Sequence, residues 1–198
     1  MNNEQCLEVM NETREEIESQ IGADVDIGID VASSSFYSPD IYHYRNPGGF
    51  LSSQEHVNYL ADLADKYEVF YIEDPINEED FKDFKNFRVK NAGRMIVGDD
   101  LTVTNLERFV RALKERAIDA IILKPNQTGS LVEMKKIVYL AKKMNILLVM
   151  SHRSGETMDS TIADLAFGFQ TDFIKTGVHG PERELKLRRL IEIEKKFG

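Results

Sequence analysis

The chain has 198 residues and sets 34 Asp and Glu against 25 Lys and Arg, a formal net charge of −9. That length suits a single domain with a sizeable core, and the acidic balance argues against duplex nucleic acid, which needs clustered basic groups to displace counterions. A single cysteine, Cys6, excludes an internal disulfide and any paired-cysteine zinc site; no apolar run reaches the ~18 residues of a spanning helix, the N-terminus lacks a signal-peptide pattern, and the expected compartment is therefore the cytoplasm.

In chain order, Leu7, Met10, Ile17 and Ile21 at helical spacing, followed by Gly22 as a stop, predict an N-terminal helix. Six short β-type runs follow: Val25–Val31, Val69–Glu73, Arg94–Gly98, Ala120–Leu123, Ile146–Met150 and Asp172–Lys175. Several are nearly continuous in Ile, Leu and Val, the pattern of strands covered on both faces. Between the first two lies the longest stretch expected to be irregular, roughly Ser33 to Leu51, with Pro39, Pro47, Gly48 and Gly49. The later runs alternate with helix-period segments. Helix starts of the S/T-x-x-E type are predicted at Ser52–Glu55, Thr104–Glu107 and Ser130–Glu133.

A helix followed by about six βα units implies an α/β fold with parallel strands and right-handed crossovers. An open doubly wound sheet would need a phosphate loop or a switch-point crevice, and neither a GxGxxG nor a Walker sequence occurs. The polar residues favour a TIM-type (β/α) barrel, or part of one, in which chemistry sits at the C-terminal strand ends. Asp30 and Glu73 close their runs, Asp99 and Lys124 follow theirs, His152 comes after Ser151, and Lys175 closes the last. Parallel units place such ends on one side. Asp100 is better read as an ordinary turn acid, since a helix start follows closely.

Three acids brought together would repel unless a cation sat among them. Hard oxygen ligands without Cys or clustered His favour Mg²⁺, then Mn²⁺. A lysine near such an ion can have its pKa drawn down far enough to act as a base. A divalent ion and a neutral lysine are together suited to removing a proton next to a carboxylate.

The stretches Ile27–Phe36 (IGIDVASSSF), Ile72–Pro75 (IEDP), Val97–Asn105 (VGDDLTVTN), Ile122–Gly129 (ILKPNQTG), Val149–Glu156 (VMSHRSGE) and Phe173–Gly177 (FIKTG) closely resemble enolase (phosphopyruvate hydratase) of the archaeal type, in its C-terminal barrel portion. The resemblance covers the chain from about Gly28 onward. It implies Mg²⁺-dependent dehydration of 2-phosphoglycerate to phosphoenolpyruvate, a lyase step of glycolysis. It further implies Asp30, Glu73 and Asp99 as Mg²⁺ ligands, Lys124 as the base at C2, and Lys175 on the substrate carboxylate. Arg153 and Ser154 would then grip the phosphate, and His152 would face the substrate.

Departures from the family are equally legible. The N-terminal capping domain and the first barrel strands have no counterpart, nor has the Gly-Asp-Glu-Gly-Gly motif whose Glu assists the leaving hydroxide. Ser35 stands where the family commonly has Glu. The expectation is a single domain over residues 1–198 with impaired turnover when alone. The alternative is a non-catalytic subunit binding Mg²⁺ and phosphate, or a split-enolase half that assembles with a separate N-terminal part. Six strands cannot close an eight-stranded barrel, so a homo-oligomer or a complementing N-terminal half is expected to cover the edges. Neither nucleic acid nor membrane is expected as a partner.

Overall fold

The computed structural model describes residues 2–46 and 48–198. Met1 lies outside them, as does Pro47 of the stretch expected to be irregular. The chain divides into two compact units, Met1–Leu101 with Ala112–Ile118, and Thr102–Arg111 with Asp119–Gly198.

The first unit opens with α1 (Asn3–Ile21), started by an Asn2/Gln5 capping box and ended by Gly22 at φ 66°, as the spacing predicts. Of its apolar positions only Leu7 is buried; Met10, Ile17 and Ile21 stay exposed. β1 (Ile27–Asp30) follows. The segment expected to be irregular is not: after a 3₁₀ turn at Ser33–Phe36, β2 (Tyr37–Ser38), β3 (Ile41–Arg45) and β4 (Gly48–Ser52) form an antiparallel sheet. Alternation in Ile41-Tyr42-His43-Tyr44-Arg45 explains the difference, because it turns Tyr42 and Tyr44 to one face. Tyr42 is buried and stacks on His56, ring centroids 3.7 Å apart. Phe36 packs against Tyr44 at 5.2 Å. Aromatic contact supplies the stabilisation that a proline- and glycine-bearing segment lacks in propensity.

α2 (Ser53–Lys66) starts at the expected Ser52/Glu55 capping box. Then come β5 (Val69–Glu73), α3 (Phe81–Lys90) and β6 (Met95–Gly98). Phe81, Phe84 and Phe87 of α3 are all essentially inaccessible, the i, i+3, i+6 stripe of a core-facing helix. β1 pairs with β5 and β5 with β6, all parallel, with Asp30 opposite Glu73 and Glu73 opposite Val97.

α4 (Leu106–Glu115) begins one residue later than its capping pattern suggests. Asn105 Oδ1 accepts the N–H groups of Glu107 and Arg108 at 2.9 and 3.1 Å. Thr104 cannot cap: it is buried at φ 49° and its hydroxyl is engaged by the Lys124 N–H and Gln127.

The second unit carries β7 (Ala120–Leu123), the short α5 (Pro125–Thr128), α6 (Leu131–Lys143) with its expected Ser130 cap, β8 (Leu147–Ser151), α7 (Thr161–Phe169), β9 (Phe173–Lys175) and α8 (Pro181–Phe197). β7 pairs with β8 and β8 with β9, again parallel. β7 is buried along its whole length, as its unbroken apolar run requires. The parallel βα organisation after an N-terminal helix is thus as expected. Among the described residues no helix is long and apolar enough to cross a membrane.

His56 links the elements of the first unit. Its Nε2–H donates to the Pro75 carbonyl at 2.7 Å, and its Nδ1 accepts from the Tyr44 hydroxyl at 2.7 Å. Burial pushes its pKa down to about 4 from 6.5. The folded state therefore binds that proton less readily than the unfolded one. Stability is full above pH 6.5 and falls as pH drops toward 4. The loss through this group should total roughly 3 kcal/mol. Urea denaturation at pH 7 and 4.5, on the native chain and on His56→Gln, checks it. The native chain should show the steeper pH dependence, and equal dependence would contradict the assignment.

Candidate functional site

The first unit concentrates negative charge in a dry place. Asp30 ends β1, Glu73 ends β5, and Asp99 follows β6, so parallel pairing sets all three at one side of that unit's strands. Glu73 is fully buried, Asp74 is 2% exposed and Asp99 7% exposed, whereas Asp30 is exposed. One carboxylate oxygen from each of Glu73, Asp74 and Asp99 lies within 4.8 Å of the others. Asp30 adjoins Glu73 in register but stands outside that group of three.

Asp74 was not among the expected site residues. In a regular strand it would point opposite to Glu73. Its φ of 42° ends the alternation, and its carboxylate accepts the N–H groups of Asp99 (3.1 Å), Asp100 (2.7 Å) and Leu101 (3.5 Å). Asp100 thus does hold a turn, through its backbone. Burial raises the Asp74 pKa, opposed by the Asp100 N–H and reinforced by the charges of Asp99, Asp100 and Glu73. Tyr71, two residues before Glu73 and so on the same face, donates its hydroxyl to Glu73 Oε2 at 2.5 Å. Its own pKa is driven up by burial and then by the Glu73 charge, with Asp30 and Asp99 adding to it.

Two like charges no more than 4.8 Å apart repel by at least roughly 3 kcal/mol at an effective dielectric near 20. Such a group needs a proton or a cation. Its ligand atoms are all carboxylate oxygens, a hard donor set that fits Mg²⁺ or Mn²⁺ and not a thiophilic metal.

The second unit holds the cationic candidates. Lys124 follows β7 and is the N-cap residue of α5. Lys175 ends β9, and its carbonyl accepts the His152 N–H at 3.2 Å. Arg153 and Ser154 are exposed in the loop after β8. Arg153 borders a polar cleft of about 660 Å³ that also involves Thr104, Asn105, Asn126, Gln127 and Thr128, a lining suited to an anionic oxygen-rich ligand.

An ion-pair network that the sequence reading missed holds this loop. The Glu156 side chain is 8% exposed and that of Lys186, on α8, is 4% exposed. Lys186 Nζ donates to Glu156 Oε2 (2.6 Å), the Glu182 carbonyl (2.6 Å) and the Thr157 carbonyl (3.3 Å), which uses all three ammonium protons. Arg183 Nε donates to Glu156 Oε1 at 3.2 Å. Glycine at position 177 leaves room for Arg183, since a Cβ there would fall 2.2 Å from its Cδ. Burial acts to raise the Glu156 pKa, but the hydrogen bonds from Lys186 and Arg183 outweigh it and keep the carboxylate below its usual range. His152 Nδ1 lies 2.6 Å from Glu156 Oε1. Burial lowers the His152 pKa; Glu156 works against that, and Lys175 and Lys186 add to it. A Glu two residues after an Arg-Ser pair reads as surface charge until the fold buries it.

Against known proteins, the family model described as "Enolase, C-terminal TIM barrel domain" matches residues 1–198. An enolase of Methanosphaera stadtmanae is 42% identical over 200 aligned residues, covering 100% of this chain and 48% of that protein. An enolase of Pyrobaculum aerophilum is 39% identical over 98% of this chain and 46% of its own length. One of Sulfurisphaera tokodaii is 44% identical over 87% of this chain and 41% of its own. The chain thus spans about half the length of the curated relatives it matches.

Lys186→Met should lower the unfolding free energy by roughly 2 kcal/mol, because it strips a buried carboxylate of its principal partner. Adding Glu156→Gln should recover part of that loss. Urea denaturation of the native chain and these variants checks both, and a single variant as stable as the native chain would contradict the ion-pair account.

Proposed function

We propose, because the chain belongs to the enolase family as a C-terminal TIM barrel domain matched from residue 1 to residue 198, that its residues serve the Mg²⁺-dependent dehydration of 2-phosphoglycerate to phosphoenolpyruvate. The observation that carries the reading is the buried meeting of Glu73 and Asp99 carboxylates, within 4.8 Å of each other and of Asp74. Charge of one sign persists in so dry a place only when a cation or protons offset it.

In this reading Asp30, Glu73 and Asp99 hold Mg²⁺. When bound, the ion supplies positive charge to a substrate carboxylate and so eases loss of the neighbouring proton. Lys124 takes the C2 proton, Lys175 contacts the substrate carboxylate, Arg153 and Ser154 hold the phosphate, and His152 faces the substrate. A guanidinium suits a phosphate because its N–H fork matches two oxygens, and the polar cleft that Arg153 borders supports that role. The depressed His152 pKa favours a neutral ring near pH 7, able to accept as well as donate a hydrogen bond.

A second reading rests on the sequence. The family's acid motif has no counterpart in these residues, and general acid assistance is worth typically about 10²–10⁴-fold. These residues would then bind Mg²⁺ and a phosphorylated acid, and would complete elimination only where an acid group is supplied from outside them.

Two assays with 2-phosphoglycerate separate these readings. One follows C2 deuterium exchange and the other phosphoenolpyruvate formation, each in Mg²⁺ and in EDTA. Mg²⁺-dependent exchange is expected in either case, with elimination slower than exchange when the acid is lacking. Lys124→Ala should reduce exchange by about 10²-fold or more. Undiminished exchange in that variant would refute Lys124 as the base, and no exchange by the native chain would refute the catalytic reading.

A further inference from the structure

Resting on the metal reading just given, we propose that Asp74 is a positioning residue: its carboxylate clamps the backbone of Asp99, Asp100 and Leu101, and so aims the Asp99 carboxylate at the cation without coordinating it. Proximity alone would make Asp74 a third ligand beside Glu73 and Asp99. Its hydrogen bonds argue otherwise. Oδ1 accepts the Asp99 N–H at 3.1 Å and the Leu101 N–H at 3.5 Å, and Oδ2 accepts the Asp100 N–H at 2.7 Å. Both oxygens are therefore committed to three successive residues, Asp99 to Leu101, an arrangement in which main-chain dipoles stabilise an anion. A metal bond to either oxygen would compete with these donors.

The backbone of Asp74 is fixed as firmly as its side chain. Its N–H donates to the Val97 carbonyl at 3.0 Å, and its carbonyl accepts the Ser33 N–H at 3.1 Å. The residue thus ties the segment after β1 to β5 and to the end of β6. It sits at φ 42°, a region that costs a non-glycine residue of order 1–3 kcal/mol. Such a conformation persists where the surroundings over-determine it, and five hydrogen bonds from one residue do so. The outcome of that strain is specific: it swings the carboxylate from the side opposite Glu73 to the turn that carries Asp99.

The clamp needs two acceptor oxygens at position 74. Asparagine would keep one acceptor and present an amide NH₂ toward one of the backbone donors. Groups that orient metal ligands typically contribute about 10–100-fold to metal affinity, whereas loss of a ligand carboxylate should remove measurable binding.

The test is Mn²⁺ binding by isothermal titration calorimetry on the full chain, comparing native, Asp74→Asn, Asp74→Ser and Asp99→Asn proteins. Thermal unfolding of each without metal serves as control. Asp74→Asn is expected to bind Mn²⁺ 10–100-fold more weakly than the native chain. Asp74→Ser should lie between the two, because a hydroxyl can still accept a backbone N–H but supplies no anionic ligand. Asp99→Asn should show no binding. An Asp74→Asn affinity equal to native, with only its unfolding temperature lowered, would overturn the proposal by making the role merely structural. Binding lost in both Asp74 variants as completely as in Asp99→Asn would overturn it by making Asp74 a ligand. If the native chain takes up no Mn²⁺, the metal reading fails and this inference with it. Should Asp74→Asn not fold, hydrogen exchange on the native chain decides. The Asp99 and Asp100 amides should be strongly protected, and rapid exchange there would overturn the clamp.

Discussion

Like charge held away from water is the constraint around which the first unit is arranged. Burying a carboxylate is unfavourable unless donors or a cation compensate it, and here three lie together at or below 7% exposure. The surrounding structure reads as compensation for each in turn. Tyr71 donates to Glu73, and three backbone N–H groups converge on Asp74. Apolar strands and the Phe81, Phe84 and Phe87 face of α3 keep the unit's interior closed. Groups placed side by side in this way call for a cation or protons to offset their charge.

The second unit solves a related problem by ion pairing. Glu156 is kept ionised beside a lysine that is itself almost wholly enclosed, and that lysine also reaches two carbonyls. Each unit thus uses one carboxylate as a brace beside a loop bearing candidate functional groups. The donors differ, main-chain amides for Asp74 and side-chain cations for Glu156. Both braces combine a fixed donor geometry with low exposure, which is how second-tier groups hold functional ones in place.

The sequence made the strand ends legible because continuous apolar runs stop at a polar residue. Glu73 and Lys175 fall where those runs predicted, and the Ser52 and Ser130 caps do too. Four features were opaque for identifiable reasons. The β2–β4 sheet was hidden by Pro39 and neighbouring glycines, and only the alternation of Tyr42 and Tyr44 signals it. Thr104 satisfied a capping pattern but was drawn instead into a buried turn. Asp74 and Glu156 were hidden because their roles depend on a positive φ and on a distant helix, neither visible in local spacing. Family likeness located the candidate ligands; only geometry shows which carboxylate is already engaged by the backbone.

The central claim is that the Glu73 and Asp99 carboxylates are held together for a divalent cation. Ligand linkage gives its most direct test, since an ion that binds only the folded chain must raise the unfolding free energy as its concentration rises. Mg²⁺ should stabilise the native chain against urea in a saturable way, EDTA should reverse this, and Glu73→Gln should abolish it. Equal stability of the native chain in Mg²⁺ and in EDTA would contradict the claim.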